Sequence, residues 1–240
     1  MSHSIFVSDL HLSPERPRIV ETFFDFLERT AAQADALYIL GDLFDYWVGD
    51  DDLDDAFNAR GTESLARLTR KGVRVCVMHG NRDFLIGQAF AGRTGAKLIG
   101  DPTLLDLHGA RTLLMHGDTL CTDDVDYQKF RALARSRKFQ EEFLAQPVAA
   151  RRQRVGQLRE INEQAKQAKK PEIMDVTLAT VEAVLRQHGF PRLIHGHTHR
   201  PARHVHVVDG RECERWVLPD WYERGGYLRC DASGCTAVML

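Results

Sequence analysis

The sequence predicts an α/β fold built on a largely parallel sheet, and three observations carry that reading. Short apolar runs of strand length alternate with amphipathic runs of helix length through the first half of the chain. The apolar runs end in short motifs rich in glycine, aspartate and histidine. A basic, helix-like stretch then interrupts the pattern, and β-type sequence resumes after it.

Ser4-Ile5-Phe6-Val7-Ser8 reads as a buried strand, and Arg18 to Thr30 places Ile19, Phe23, Phe26 and Leu27 at helical spacing. Ala36-Leu37-Tyr38-Ile39-Leu40 is a second strand. A helix around Ala59–Arg70 leads to a third at Val73 to Met78. Thr103–Leu107 and Arg111–Met115 flank His108-Gly109 and predict a hairpin. From Val125 to Lys170 there are twelve Lys or Arg against five Asp or Glu, a local charge of +7 in a chain of net charge -2. Phe130, Leu133, Phe139, Phe143, Leu144, Val155, Leu158 and Ile161 lie among those charges, so the stretch reads as helical. A helix near Met174–Gln187 follows, then strands at Leu193–His195, Val205–Val208, Glu214–Val217, Tyr227–Cys230 and Thr236–Leu240. The expected organisation is a single domain over 1–240, with 125–170 inserted into it as a lid.

At 240 residues the chain is long enough for one well-buried core, and 43% hydrophobic with 28% charged residues excludes a disordered class. No apolar run reaches the ~20 residues needed to span a bilayer, and the start of the chain does not read as a signal peptide. The five cysteines (Cys76, Cys121, Cys213, Cys230, Cys235) are odd in number and contain no CxxC pair. They read as reduced thiols of a cytosolic protein, with neither a zinc site nor a disulfide framework.

Five motifs fall at strand ends: Asp9-Leu10-His11, Gly41-Asp42, Gly80-Asn81-Arg82-Asp83, His116-Gly117-Asp118, and His195-Gly196-His197-Thr198-His199. The carboxyl edge of such a sheet is where ligands bind. Carboxylate, imidazole and amide oxygen without thiolate suit Mn²⁺, Fe or Zn²⁺ better than copper or an iron–sulfur cluster. Seven candidate ligands exceed one tetrahedral ion. They fit two ions about 3.5–4 Å apart sharing a carboxylate, an arrangement that activates water for phosphoryl transfer. Any one Asp or His at a strand end is most often a turn residue or a cap; the ordered set of five is the signal. His3, His79, His108, His188, His204 and His206 read as surface or supporting residues, and His199 lies nearer the site. Asp50-Asp51-Asp52 reads equally as a metal cluster or a solvated acidic loop and is left out of the site.

Asp9-x-His11, Gly41-Asp42, Gly80-Asn81, His116 and His195-Gly196-His197 resemble the calcineurin-like metallophosphoesterase signature. The resemblance implies a mixed β-sandwich flanked by helices. It implies one ion held by Asp9, His11, Asp42 and His197, and a second held by Asp42, Asn81, His116 and His195. Many members carry a histidine after the Gly-Asn pair that protonates a leaving alcohol. Here that position is Arg82, which cannot give up its proton. A phosphate leaving group, with a second pKa of about 6, needs no such acid. Arg82 therefore points to an anhydride substrate, whose oxygens it can clamp.

The longer strings around these motifs, with Leu120-Cys121-Thr122-Asp123-Asp124 and Ile173-Met174-Asp175-Val176, closely resemble the UDP-2,3-diacylglucosamine diphosphatases. That resemblance implies water attack on the α-phosphorus, release of UMP and lipid X in lipid A biosynthesis, and two Mn²⁺ ions per chain. It implies a peripheral position at the cytoplasmic face of the bacterial inner membrane. It carries substrate contacts onto Asn81, Arg82, Asp124 and His195, and onto Asn162, Lys166 and Lys169 in the insertion. No obligate protein partner is evident. A nuclease should carry a basic groove over the whole site, whereas here positive charge is confined to one segment, so no nucleic acid is expected. A soluble nucleotide-sugar pyrophosphatase, a cyclic-nucleotide diesterase or another metal-dependent phosphodiesterase on the same centre, or a non-catalytic scaffold, are the alternatives; a scaffold would have shed ligands, and all seven are present.

Overall fold

The computed structural model describes residues 2–168 and 171–240, with side chains at all of these except 159–168, 171 and 172. Strands β1 (His3–Val7), β2 (Ala36–Leu40), β3 (Arg74–Met78) and β4 (Lys97–Ile99) run parallel, with helices α1 (Pro17–Arg29), α2 (Ala56–Arg70) and α3 (Gln88–Thr94) between them. The last strands, β10 (Gly226–Asp231) and β11 (Gly234–Met239), return antiparallel beside β1, giving a six-stranded sheet in the order β11-β10-β1-β2-β3-β4. The second sheet holds β5 (Thr103–Leu107), β6 (Ala110–Leu114), β7 (Arg192–His195), β8 (Ala202–Val208) and β9 (Arg211–Val217), in the order β5-β6-β7-β9-β8. In it β6, β7 and β9 are parallel, while β5 and β8 are antiparallel edges. The predicted mixed β-sandwich flanked by helices is therefore present.

The two-residue period of each strand sorts its side chains into separate cores. Ile5, Val7, Leu37, Ile39, Val75 and Val77 pack outward against α1 and α2. Phe6, Tyr38, Leu40, Cys76 and Met78 pack inward on Leu107, Leu114, Ile194 and Leu218 of the second sheet. Leu113 and Leu193 face the other way, onto Val181 and Leu185 of helix α7 (Leu178–Gln187). Strands buried on both faces must read as unbroken apolar runs, which is why the sequence displays them so clearly. Burying one Leu, Ile or Phe in such a layer contributes about 1.5–3 kcal/mol.

Helix starts follow local rules. Pro17 occupies the first turn of α1, and the Asp55 carboxylate accepts from Phe57 N at 3.0 Å and Asn58 N at 3.4 Å to cap α2. The basic stretch forms three helices, α4 (Val125–Ala134), α5 (Arg137–Leu144) and α6 (Val148–Ala168). The helix expected from Met174 begins at Leu178, because residues 171–174 form a 3-10 turn. Strand β4 and helix α3 were not expected; at three and seven residues they are too short to show a period. Among the described residues no helix is long and apolar enough to cross a membrane.

The expectation of five reduced thiols is corrected. Cys230 and Cys235 form a disulfide, while Cys76, Cys121 and Cys213 are free and buried. The β10–β11 register sets Cys230 directly opposite Cys235, with their Cα atoms 4.1 Å apart. Cross-strand adjacency brings them together, and counting cysteines or searching for CxxC cannot detect it.

Candidate metal centre

The parallel strands all deliver their carboxyl ends to one edge. Asp9 and His11 follow β1, Asp42 follows β2, Asn81 follows β3, His116 follows β6, and His195 and His197 end or follow β7. The loops after β1 and β2 stay zipped together beyond the sheet, with Asp9 N donating to Gly41 O at 3.2 Å and His11 N to Asp42 O at 2.9 Å. The loops after β6 and β7 are joined by Gly196 N donating to His116 O at 2.9 Å. Asp83 stitches the third loop on: its carboxylate accepts from Gly80 N and Leu43 N, both at 2.8 Å.

The backbone is strained where it turns the side chains inward. Asp9, His11, Asp42, His197 and His199 have φ between 46° and 69°, five of the eight non-glycine residues in the left-handed region among those described. Such conformations cost roughly 1–3 kcal/mol each and persist where surrounding structure enforces them. Two glycines make room. A Cβ on Gly41, at φ 91°, would lie 2.5 Å from His116 Nδ1, and one on Gly196 would lie 2.2 Å from Asp9 Oδ2.

Each central carboxylate has one oxygen held and one offered. Asp9 Oδ2 accepts from Ser8 Oγ at 2.6 Å and His197 N at 2.8 Å. Its Oδ1 is buried without a hydrogen bond, 3.5 Å from His199 Nε2. Asp42 Oδ1 accepts from Arg82 N at 2.8 Å, while Oδ2 faces His11 Nε2 at 3.8 Å and His116 Nε2 at 4.0 Å. His116 Nδ1 lies 2.8 Å from the Leu40 carbonyl, so it must be the donor there, and Nε2 is the nitrogen turned to the site. Asn81 Oδ1 sits 3.0 Å from His116 Nε2 and 2.9 Å from His197 Nδ1. Ligand atoms of Asp9, His11 and His199, and those of Asp9, Asp42 and His116, form two groups in which all atoms lie within 4.8 Å of one another.

The electrostatics call for a cation. Burial drives the Asp42 carboxyl up, and the neighbouring Asp83 and Asp9 carboxylates add to it. Burial alone would lower His116, yet the Asp42, Asp118 and Asp9 carboxylates raise it to about 9. Burial and the charge on His116 hold His197 down at about 3, and burial with the Arg215 guanidinium does the same to His195. Oxygen and imidazole donors thus converge around buried carboxylates, where the proton drawn onto His116 marks the place of a missing cation and Asp9 keeps an orphaned oxygen. That donor set fits a hard-to-borderline divalent ion.

Of the sequence-predicted ligands, Asp9, His11, Asp42, Asn81, His116 and His197 come together. His195 is buried at the end of β7, but both ring nitrogens are engaged elsewhere: Nδ1 donates to Gly196 O at 2.8 Å, and Nε2 accepts from Arg215 at 3.1 Å. His199 is brought into the cluster; its i+2 relation to His197 was the signal for it. Tyr222, stacked on His11 at 5.4 Å with Arg16 over its ring, comes from the C-terminal segment, where no motif marked it.

Arg82 and Asp124 line a cavity of about 370 Å³ that opens on His11, Asp42, Asn81 and His197. Asp124 also caps α4, accepting from Tyr127 N at 3.1 Å. A narrower cavity of about 90 Å³ shares Asn81, Arg82, Phe84 and Phe130 with the first and continues among Trp47, Phe139, Phe143, Val155 and Leu158. The side chains of Asn162 and Lys166, and all of Lys169, lie outside the described residues. Helix α4 is bolted to the centre by its side chains. Tyr127 Oη and Arg131 Nε each donate to the buried Asp118 carboxylate at 2.7 Å, and Arg135 donates to Gly80 O at 2.8 Å.

The calcineurin-like phosphoesterase family profile matches residues 3–201. The chain belongs to the calcineurin-like phosphoesterase family. Membership implies divalent metal at the cluster described above. Among its relatives, the UDP-2,3-diacylglucosamine hydrolase of Aromatoleum aromaticum is 52% identical over 96% of this chain and 94% of its own. Proteins of the same name from Xanthomonas campestris pv. campestris (strain B100) and Cellvibrio japonicus are each 50% identical, over 99% and 97% of this chain and 98% and 96% of theirs.

Proposed function

We propose that this phosphoesterase hydrolyses the pyrophosphate bond of UDP-2,3-diacylglucosamine, giving UMP and 2,3-diacylglucosamine 1-phosphate in lipid A biosynthesis. The carrying observation is the adjacency of two cavities: the one that opens on the candidate metal centre shares Asn81, Arg82, Phe84 and Phe130 with a second lined mainly by aromatic and aliphatic side chains. A substrate with an anhydride at one end and long acyl chains at the other has both its needs met there. The shared name of relatives about half identical along nearly the whole chain supports the same reading.

Two Mn²⁺ ions are the proposed cofactor, one on Asp9, His11, Asp42 and His197 and the other on Asp42, Asn81, His116 and His195. His195 reaches that role once it leaves Arg215, and His199 stands close enough to add a donor to the first ion. When bound, such ions supply an activated water and neutralise charge on the phosphoryl oxygens. The Arg82 guanidinium clamps those oxygens, and the burial of Asp9, Asp42 and His116 keeps bulk water away from the reacting phosphorus. Water oxygen adds to the α-phosphorus and gives its proton up to solvent, the bond from that phosphorus to the bridging oxygen breaks, and the sugar phosphate departs with that bonding pair as a stable anion, without a side-chain acid. Asn162, Lys166 and Lys169 are proposed as further substrate contacts.

The site of action proposed is the cytoplasmic face of the inner membrane, without a spanning segment. Its support is the +7 charge of Val125 to Lys170 together with outward-facing Leu133 and Leu144. Basic side chains beside an anionic leaflet contribute on the order of 1 kcal/mol each. Hydrolysis in ¹⁸O-labelled water tests the chemistry: label in UMP supports attack at the α-phosphorus, and label in the lipid 1-phosphate contradicts it.

A further inference from the structure

The carboxylates of the acidic triplet Asp50-Asp51-Asp52 are tied into the fold by hydrogen bonds, although the Asp51 side chain is 57% exposed. Asp50 serves α3, and Asp51 and Asp52 both serve α6. Asp50 accepts from Trp47 Nε1 at 3.0 Å and from Gly87 N and Phe90 N at 2.9 Å, which ties the turn to the start of α3. Asp51 accepts from Arg151 Nη2, and Arg151 Nη1 donates to Val48 O. Asp52 accepts from Arg152 Nε at 3.0 Å and Nη2 at 2.6 Å, and Arg152 also reaches Asp55 at 2.9 Å. Arg151 and Arg152 belong to the first turns of α6, about a hundred residues away in sequence. Arg151 is 1% exposed, a buried cation whose two Nη atoms reach the Val48 carbonyl and Asp51 while its Nε is buried without a hydrogen-bond partner.

What this junction holds in place is informative. Val155 and Leu158, one and two turns beyond the arginines, line the narrow apolar cavity, and so does Trp47, just before the acidic turn. Arg154, between them, lies over the rings of Phe139 and Phe143 at 5.7 and 5.8 Å. The acidic turn therefore ties together Trp47 and the start of α6, two contributors to the apolar cavity, while none of its three residues lines the cavity at the metal centre.

We propose that Asp51, Asp52 and Asp55 with Arg151 and Arg152 form a latch whose docked state sets selectivity for the length of the substrate's apolar chains. These are positioning residues: they act through Val155, Leu158, Phe139 and Phe143. The inference rests on the reading above that the substrate carries acyl chains. An undocked α6 opens the apolar cavity, so the apparent affinity for a long chain falls by the fraction of molecules still docked. A substrate that never enters that cavity is indifferent to the latch.

The test measures kcat and KM on UDP-2,3-diacylglucosamine carrying tetradecanoyl or butyryl chains, and on bis-p-nitrophenyl phosphate as a small diester. Wild type is compared with Asp51→Asn, Arg152→Gln, the double variant and Arg152→Lys. If the double variant leaves about a tenth of the molecules docked, KM for the long-chain sugar rises about tenfold, with kcat within about twofold. KM for the butyryl sugar and hydrolysis of the small diester stay at wild-type levels. Arg152→Lys, which keeps the charge and loses the fork, falls between. Equal losses on all three substrates overturn the latch in favour of general stabilisation, and unchanged chain-length selectivity overturns it outright. Failure of wild type to cleave either acylated sugar removes the premise, and that outcome is read before any variant is made.

Discussion

In the strand-end loops the functional side chains are held by the main chain. Asp83 collects amides from two loops, Arg82 N and His197 N bind the carboxylates of Asp42 and Asp9, and the Leu40 carbonyl fixes the His116 ring. The insertion is attached in another way. Among the described residues its hydrogen bonds to the body of the molecule run from side chains such as Tyr127, Gln128, Arg131 and Arg135 of α4 and Arg151 and Arg152 of α6. Main-chain bonding between loops at sheet edges resists displacement, because moving one ligand means breaking the sheet's continuation. Side-chain bonding can be undone residue by residue while both elements keep their own helical hydrogen bonds. The difference suggests a rigid centre for chemistry and an adjustable wall for recognition.

The largest effect is expected at the rigid half. Asp42→Ala removes the carboxylate offered to both His11 and His116, and with it the ligand expected to bridge the ions. Turnover should fall by at least about a thousandfold. Circular dichroism and the thermal transition should still report a folded protein, since the sheet hydrogen bonds are untouched. Wild-type-like activity in Asp42→Ala, with metal in excess, would falsify the bridging assignment.

Next comes metal removal, which tests the same half without mutation. Exhaustive EDTA treatment should abolish hydrolysis, and Mn²⁺ should restore it. Because the proposed ions need the folded centre, adding Mn²⁺ to a hundred times its Kd should stabilise the fold by about 2.7 kcal/mol for each ion bound. Calorimetry with and without metal measures this. A transition that does not move on addition of Mn²⁺ would argue against a preformed site.

The rigid half was also the legible half. Asp9, His11, Asp42, Asn81, His116 and His197 could be read because each follows a strand buried on both faces, and such strands announce themselves as apolar runs. The edge strand β4 and the short helix α3 were lost to their brevity. The geometry at His195 was not legible either. Arg215, which engages its ring, lies twenty positions away on the neighbouring strand β9. The role of the triplet Asp50-Asp51-Asp52 stays open in the sequence, between a metal cluster and a solvated loop, because the arginine partners of Asp51 and Asp52 are separated from them by a hundred residues. Pairings between distant side chains leave no period and no motif, so the attachments of the insertion were hidden even though its helices and its charge were plain.

At the adjustable half, Phe143→Glu should sharpen the comparison. Phe143 lines the apolar cavity beside Phe139, their rings stacked at 6.2 Å. A charge there opposes acyl burial, which is worth about 0.8 kcal/mol per CH₂. Relative kcat/KM for the diacyl substrate over UDP-N-acetylglucosamine should fall by about a hundredfold, with the short substrate unaffected. Equal cleavage of both by wild type would leave the insertion as a plain cover and favour a soluble nucleotide-sugar pyrophosphatase.

The smallest effect probes the seam between the two halves. Arg131 is the residue of α4 that meets Asp118 with a charge, at 2.7 Å, and Asp118 lies two positions after His116 in the same loop. In Arg131→Met the buried carboxylate keeps Tyr127 but loses its cation, so folding stability should drop by about 1–3 kcal/mol. If the two halves are separable as argued, the loss should appear mainly as weaker binding of substrate. KM for the diacyl substrate should rise about tenfold as α4 loosens, while the Mn²⁺ concentration for half-maximal activity stays within about twofold of wild type. Calorimetry and a manganese titration of activity separate the two outcomes. A large shift in manganese requirement would mean that the insertion holds the metal centre as firmly as the main chain does. The division between a rigid centre and an adjustable wall would then have to be redrawn, with α4 on the side of the centre.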